Sequence, residues 1–122
     1  ADLAYIGSPF IATEEANAQA EYKQMICEAG AMDIVTSSLF TGVSGNYLAP
    51  SIRRAGLDPD RLGAADAETM NFAEDASKAK AWSQIWGAGQ GIGAVHDVVP
   101  AATRVERLAA EYVSAKAEMA RL

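Results

Sequence analysis

The chain has little of what most reactive sites are built from. It holds one cysteine, Cys27, and one histidine, His96, among 122 residues. A single cysteine excludes an internal disulfide and suits a reducing compartment, so a cytoplasmic protein is expected. Cys27 lies beside apolar Ile26 and acidic Glu28 and reads as an inert thiol, buried or half-buried. No second His or Cys and no suitably spaced carboxylate accompanies His96, so no metal site is expected. His96-Asp97 lacks a nucleophile, and sequence neighbours seldom face each other productively, so a structural or surface histidine is expected.

No apolar run approaches the roughly 18 residues that a spanning helix needs, and no membrane association is expected. No charged segment ahead of an apolar stretch marks a signal peptide. Basic residues are also scarce. Ten Lys and Arg against 16 Asp and Glu give a net charge of −6, which argues against a general nucleic-acid binder. The acidity gathers in Asp58, Asp60, Asp66, Glu68, Glu74 and Asp75, with only Arg61 against them, and reads as a solvated face.

What the chain does have is glycine in one place. Trp86-Gly87-Ala88-Gly89-Gln90-Gly91-Ile92-Gly93 puts a glycine at every second position. Glycine permits positive φ and close approach of another group to the backbone. Gly89 to Ala94 formally matches G-x-G-x-x-A, but the residues before it read as helix and no βαβ unit follows, so a dinucleotide site is not expected. No Lys-Ser/Thr pair makes it a P-loop. A helix C-cap and tight loop account for Gly87 but not for four glycines, nor for Gln90 between two of them, whose amide can donate and accept beside a ligand.

The chain begins without Met, directly on Leu3-Ala4-Tyr5-Ile6. This run is apolar and does not alternate, so a buried strand is expected. Such a strand needs sheet neighbours, and a piece of a longer chain is expected. Gly7-Ser8-Pro9-Phe10 ends the strand. Thr13 is the expected N-cap of a helix to about Ala29, with Ala18, Tyr22, Met25, Ile26 and Ala29 on one face and Gly30 as its C′ residue. Strand, Gly-Ser turn and helix in that order can hold a phosphate, although most such units bind nothing.

Residues 31–75 read as an irregular, helical lobe without alternating strands and helices. Ile34-Val35-Thr36 and Leu39-Phe40 are candidate extended segments, Thr41 to Asn46 a loop, and Asn46 the cap of a helix through Ala55 that Gly56 stops. Asp58 caps the restart, with Pro59 at N1. Residues 76–122 hold a helix from Ala76 to Trp86 with Trp82 and Trp86 as a packing ridge, the glycine loop, and a last helix with Pro100 at N1. Ala101, Val105, Leu108, Tyr112, Ala115, Met119 and Leu122 form its apolar stripe; packing against a parent domain or a coiled coil are the two options.

Three of these stretches together carry a resemblance. Tyr5 to Ala16 resembles the last barrel strand and following helix of the nitronate monooxygenases (2-nitropropane dioxygenases), where the pattern is Gly-Thr-Arg-Phe, an apolar pair, then Thr-x-Glu. Thr41-Gly42-Val43-Ser44-Gly45-Asn46-Tyr47-Leu48 resembles a motif of that family's helical lobe, and Trp86 to Gly93 its C-terminal Ala-Gly-Gln motif. The resemblance runs through the chain in order. It implies an FMN-dependent (β/α)8 TIM barrel, an α/β fold, of which this chain is the C-terminal third, mostly α-helical with one short barrel strand near its start. Residues 1–30, 31–75 and 76–122 are then parts of one larger domain.

The resemblance further implies that Tyr5, Ile6, Gly7 and Ser8 meet the FMN phosphate at the end of the last strand. Gly89, Gln90 and Gly91 would line the flavin or substrate side. Ser8 stands where the family has Thr and keeps the hydroxyl; Pro9 stands where it has Arg and loses a cation and an N–H. The family's histidine base has no counterpart here, and His96 does not match it. The implied activity is oxidation of alkyl nitronates with O2, with this chain inactive alone. An enoyl reductase of the same barrel type is the alternative, and a non-enzymatic helical module forming a homodimer is the alternative of another class.

Overall fold

The computed structural model describes residues 3–62 and 83–121. It is mixed α/β, mostly helix with one small two-stranded sheet. The elements are α1 (Ser8–Ile11), α2 (Ala20–Glu28), a 3-10 turn at Ala31–Asp33, β1 (Ile34–Ser37), β2 (Gly45–Leu48), α3 (Ala49–Arg54), 3-10 turns at Pro59–Arg61 and Gln90–Ala94, and α4 (Ala101–Met119). Among the described residues, no helix is long and apolar enough to cross a membrane.

The sheet is not where the sequence placed a strand. Leu3 to Ile6 forms no strand, and Leu3 and Tyr5 are 92% and 104% exposed. Among the described residues no strand lies beside this run to take its backbone hydrogen bonds, so its apolar pattern has nothing to be buried against. The strands lie instead in the lobe expected to be helical. β1 and β2 pair antiparallel, with Ile34 opposite Leu48 and Ser37 opposite Gly45. Asn46 therefore sits in a strand and caps no helix. Leu39 and Phe40 belong to the connecting turn, with Phe40 buried.

β2 is hydrogen-bonded on both edges, and its second partner is the start of the glycine stretch. Leu48 N–H donates to Trp86 O at 2.8 Å and Ala88 N–H to Asn46 O at 3.2 Å. A Cβ built on Gly87 lies 3.2 Å from Asn46 O, so this glycine serves close backbone approach. No glycine of the stretch has positive φ; among the described glycines only Gly42 and Gly56 do. Gly56, at φ +86°, ends α3 as expected. Asp58 also behaves as expected, its carboxylate accepting Asp60 N–H at 3.0 Å ahead of the Pro59 turn.

The helix expected from Thr13 starts later, at Ala20, and a separate short helix, α1, precedes it. Thr13 Oγ1 donates back to Phe10 O at 2.8 Å, closing α1, and the Thr13 backbone forms an isolated parallel bridge with Val99. Glu14 N–H donates to Val99 O at 3.1 Å. Backbone committed to that bridge cannot also start a helix, and α2 begins only after Gln19. Lys23 holds the intervening loop, donating to Thr13 O at 2.6 Å. Gly30 is extended rather than left-handed; it opens the Ala31–Asp33 turn, where its N–H donates to the Asp33 carboxylate at 2.9 Å.

The main core joins Ile26 and Ala29 of the α2 region, Leu48 of β2, and Trp86, Ala88, Ile92 and Val95 of the glycine stretch. Tyr22, Met25, Ile26 and Ala29 do share an inward face, as their spacing predicts. Ile92 and Ile26 are wholly buried. Burying side chains of this size stabilises by about 1.5–3 kcal/mol each. A smaller cluster of Phe40, Ile52 and Ile85 sits beneath α3. Most of the expected helix ending at Trp86, Trp82 included, lies outside the described residues.

Candidate functional site

The first turn of α1 and the glycine stretch meet. Gly89 N–H donates to Ser8 Oγ at 2.9 Å, across 81 residues of sequence. Around this bond lies a cavity of about 340 Å³, at the small end of the roughly 300–1,000 Å³ range of ligand sites. Tyr5, Ile6, Gly7 and Ser8 line it from one side, Gly89 and Gly91 from another, and Arg104, Arg107, Leu108 and Glu111 of α4 from a third. Six of the seven residues singled out from the sequence are thus brought together. The exception is Gln90, whose side chain is exposed and does not line the cavity. The stretch coils into a 3-10 turn that sends Ile92 into the core, and that turn sets Gln90 outward.

Ser8 is half-buried. Its oxygen accepts from Gly89, and among the described residues its own O–H finds no acceptor, so that proton is available to a ligand. A Cβ at Gly7 meets nothing within 4 Å, and its φ of −116° is open to any residue, so this glycine is not required by space.

The arginines of α4 are residues that the structure adds and the sequence does not single out. Arg104 is 5% exposed. Its hydrogen bonds leave from Nη2, to Asp97 O at 2.7 Å, to Ala12 O at 3.4 Å and to the Asp97 carboxylate at 3.4 Å. Its Nε is buried and meets no acceptor among the described residues. Arg107 spends Nη1 on both carboxylate oxygens of Asp97, at 2.8 and 2.7 Å. That bond, the largest cause, holds the Asp97 carboxyl below its ordinary pKa, with the charges of Arg107 and Arg104 adding to it against a smaller desolvation effect. The signal available in sequence was Asp97 itself, a lone acid a few residues ahead of two helical arginines.

Asp97 is thus engaged by arginine rather than by its neighbour His96, which is exposed. Among the described residues no cluster of His, Cys, Asp and Glu is arranged to hold a metal. Burial pushes the Cys27 thiol up, with Arg104 opposing the rise and Asp97 and Glu28 adding to it. A second hollow, between Tyr22, Phe40, Tyr47 and Trp86, has no charged lining. The Tyr22 hydroxyl beside it already donates to Gly87 O.

Comparison of the chain with family models, with curated proteins and with solved structures returns no match.

Proposed function

We propose that the chain is the C-terminal part of an FMN-dependent oxidoreductase built on a (β/α)8 barrel, resembling the nitronate monooxygenases and acting on a small molecule such as a nitronate. The observation that carries the reading is the bond from Gly89 to Ser8, which joins two of the resembling motifs at one cavity. The Ser8 hydroxyl has a free proton to offer the phosphate end of FMN, and Ile6 and Leu108 give the cavity apolar walls. Bound there, FMN supplies two-electron redox chemistry. The chain's own part is to bind and orient; no residue in it is assigned as base.

Exposed Leu3 and Tyr5, and exposed Val105, Tyr112 and Met119 on α4, support the barrel reading. They are what a strand and a helix parted from their sheet present to water. The same stripe on α4 favours a second reading, a helical module that dimerises through that helix.

Titration of the chain with FMN, followed by quenching of flavin fluorescence, tests the first reading. Saturable quenching is expected, weakened by about tenfold in Ser8→Ala, the range for a hydrogen bond to a charged group. No quenching at any FMN concentration defeats it. A helical signal that grows with protein concentration and is abolished by Leu108→Asp would carry the second.

A further inference from the structure

We propose that the hollow between Tyr22, Phe40, Tyr47 and Trp86 binds a neutral aryl ketone or aldehyde, its ring beside Tyr47 and its carbonyl on the N–H of Gly87. The site is separate from the flavin cavity and does not rest on that reading. Its origin lies in the pairing of β2 with the glycine stretch. Tyr47 stands opposite Gly87, and the flanking bonds run from Leu48 N–H to Trp86 O and from Ala88 N–H to Asn46 O. That pattern makes Tyr47 and Gly87 a non-hydrogen-bonded pair, the kind whose side chains come closest. Gly87 has no side chain, so the Tyr47 ring lacks its cross-strand neighbour. A hollow of about 310 Å³ opens beside it.

The same geometry directs the N–H and C=O of Gly87 away from β2. The carbonyl takes the Tyr22 hydroxyl, and the N–H meets no acceptor among the described residues. A carbonyl oxygen is the ligand group that pairs with a lone amide donor. The walls are aromatic: Tyr22 stacks on Trp86 with ring centroids 4.8 Å apart, and Phe40 meets Tyr47 edge-on at 4.9 Å. Arg54 lies over Trp86 at 3.7 Å, but it is tied to Glu21 and Gln84 O and does not line the hollow. With no charged lining, an ion would lose its hydration without return, so the ligand is neutral. The volume, at the small end of ligand sites, suits a single ring. Thr41 at the rim is exposed, so the hollow opens to water.

The test titrates the 122-residue chain with acetophenone, cyclohexyl methyl ketone and benzoate, read at the Gly87 amide in proton–nitrogen NMR spectra. Acetophenone is expected to move that proton downfield saturably. The cyclohexyl ketone keeps the carbonyl and loses the ring, and is expected to bind about fivefold more weakly. Benzoate keeps the ring and adds a charge, and is expected to bind about tenfold more weakly. Tyr47→Leu should weaken acetophenone by about fivefold, and Tyr47→Phe should keep the affinity. Should Tyr47→Leu misfold, the cyclohexyl ketone makes the same comparison on the unaltered chain. A Gly87 proton unmoved by acetophenone at its solubility limit overturns the proposal, and so does a cyclohexyl ketone or benzoate that binds as tightly. An affinity that falls as protein concentration rises means that a second copy occupies the hollow, and overturns it too. Ser8→Ala separates the two sites, since it is expected to weaken FMN and leave acetophenone unchanged. Acetophenone weakened by that variant would put the ligand in the flavin cavity and overturn this site.

Discussion

The middle of the molecule and its two flanks are built from similar residues and fare differently. In the middle, α2, the β1–β2 hairpin and the Trp86–Val95 stretch bury Ile26, Leu48, Trp86, Ile92 and Val95 against one another. On the flanks, Leu3, Tyr5, Val105, Tyr112 and Met119 are as apolar and stand in water. Among the described residues, α4 is anchored near its start. Ala101 N–H donates to the Glu15 carboxylate at 2.8 Å, and Arg104 ties the helix to Ala12 and Asp97. After Leu108 every described residue of the helix is exposed. Apolar patterning announces that a face wants cover; whether cover is present depends on what else the chain brings near.

The contrast is sharpest under truncation. Ile92→Ala should cost about 3 kcal/mol in urea unfolding, as large-to-small changes at fully buried sites do. A loss below about 1 kcal/mol would mean that the middle is no better packed than the flanks. Ser51→Ala comes next. The Ser51 hydroxyl is buried between Leu48 O, to which it donates at 2.7 Å, and Trp86 N–H, from which it accepts at 2.9 Å. Its removal strands a buried N–H and should cost about 2 kcal/mol. Gly87→Ala should cost about 1–2 kcal/mol by pressing a methyl on Asn46 O, and circular dichroism would follow the loss of the paired edge.

Acid probes the join between middle and flank. Asp97 has a lowered folded pKa, so its pairing contributes stability above the ordinary carboxylate value and loses it as pH falls through the lowered one. Hydrogen-exchange protection of α4, relative to the intrinsic rate at each pH, should fall in that acidic window and stay level above it; Asp97→Asn should abolish that change. The smallest effect belongs to the flank. Tyr112→Ser should change stability by less than about 0.5 kcal/mol at low protein concentration. A larger loss that grows with concentration would reveal a partner on that face.

Much of the middle was legible. The inward face of α2, the stop at Gly56 and the Asp58-Pro59 restart followed from spacing and from backbone chemistry local to a few residues. The hairpin was half legible, because β-prone Ile34 to Thr36 spoke for a strand while its partner Gly45 to Leu48 carries a glycine and an asparagine that spoke for a loop. Tertiary pairing on both edges of β2 overrode that local preference. Thr13 was misread for a related reason: a good cap residue was claimed by a bridge to Val99, 86 residues away, which no local pattern encodes. At the cavity, glycine and serine could be read because few other residues suit close backbone approach. Arg104 could not, since a cation on a helix's polar face gives no sign that a loop will cover it.

The bond from Gly89 to Ser8 also has a kinetic meaning. Closing a loop of that length costs entropy before it yields any contact, and the entropy grows with loop length. The Thr13–Val99 bridge and the tie from Arg104 to Ala12 close loops as long or longer. The hairpin, by contrast, closes within a few residues. Assembly should therefore begin at the hairpin and end where the two arms of the chain clasp, so the cavity forms last and opens first. A ligand seated there would act as a latch on the whole topology, slowing unfolding more than its few contacts suggest.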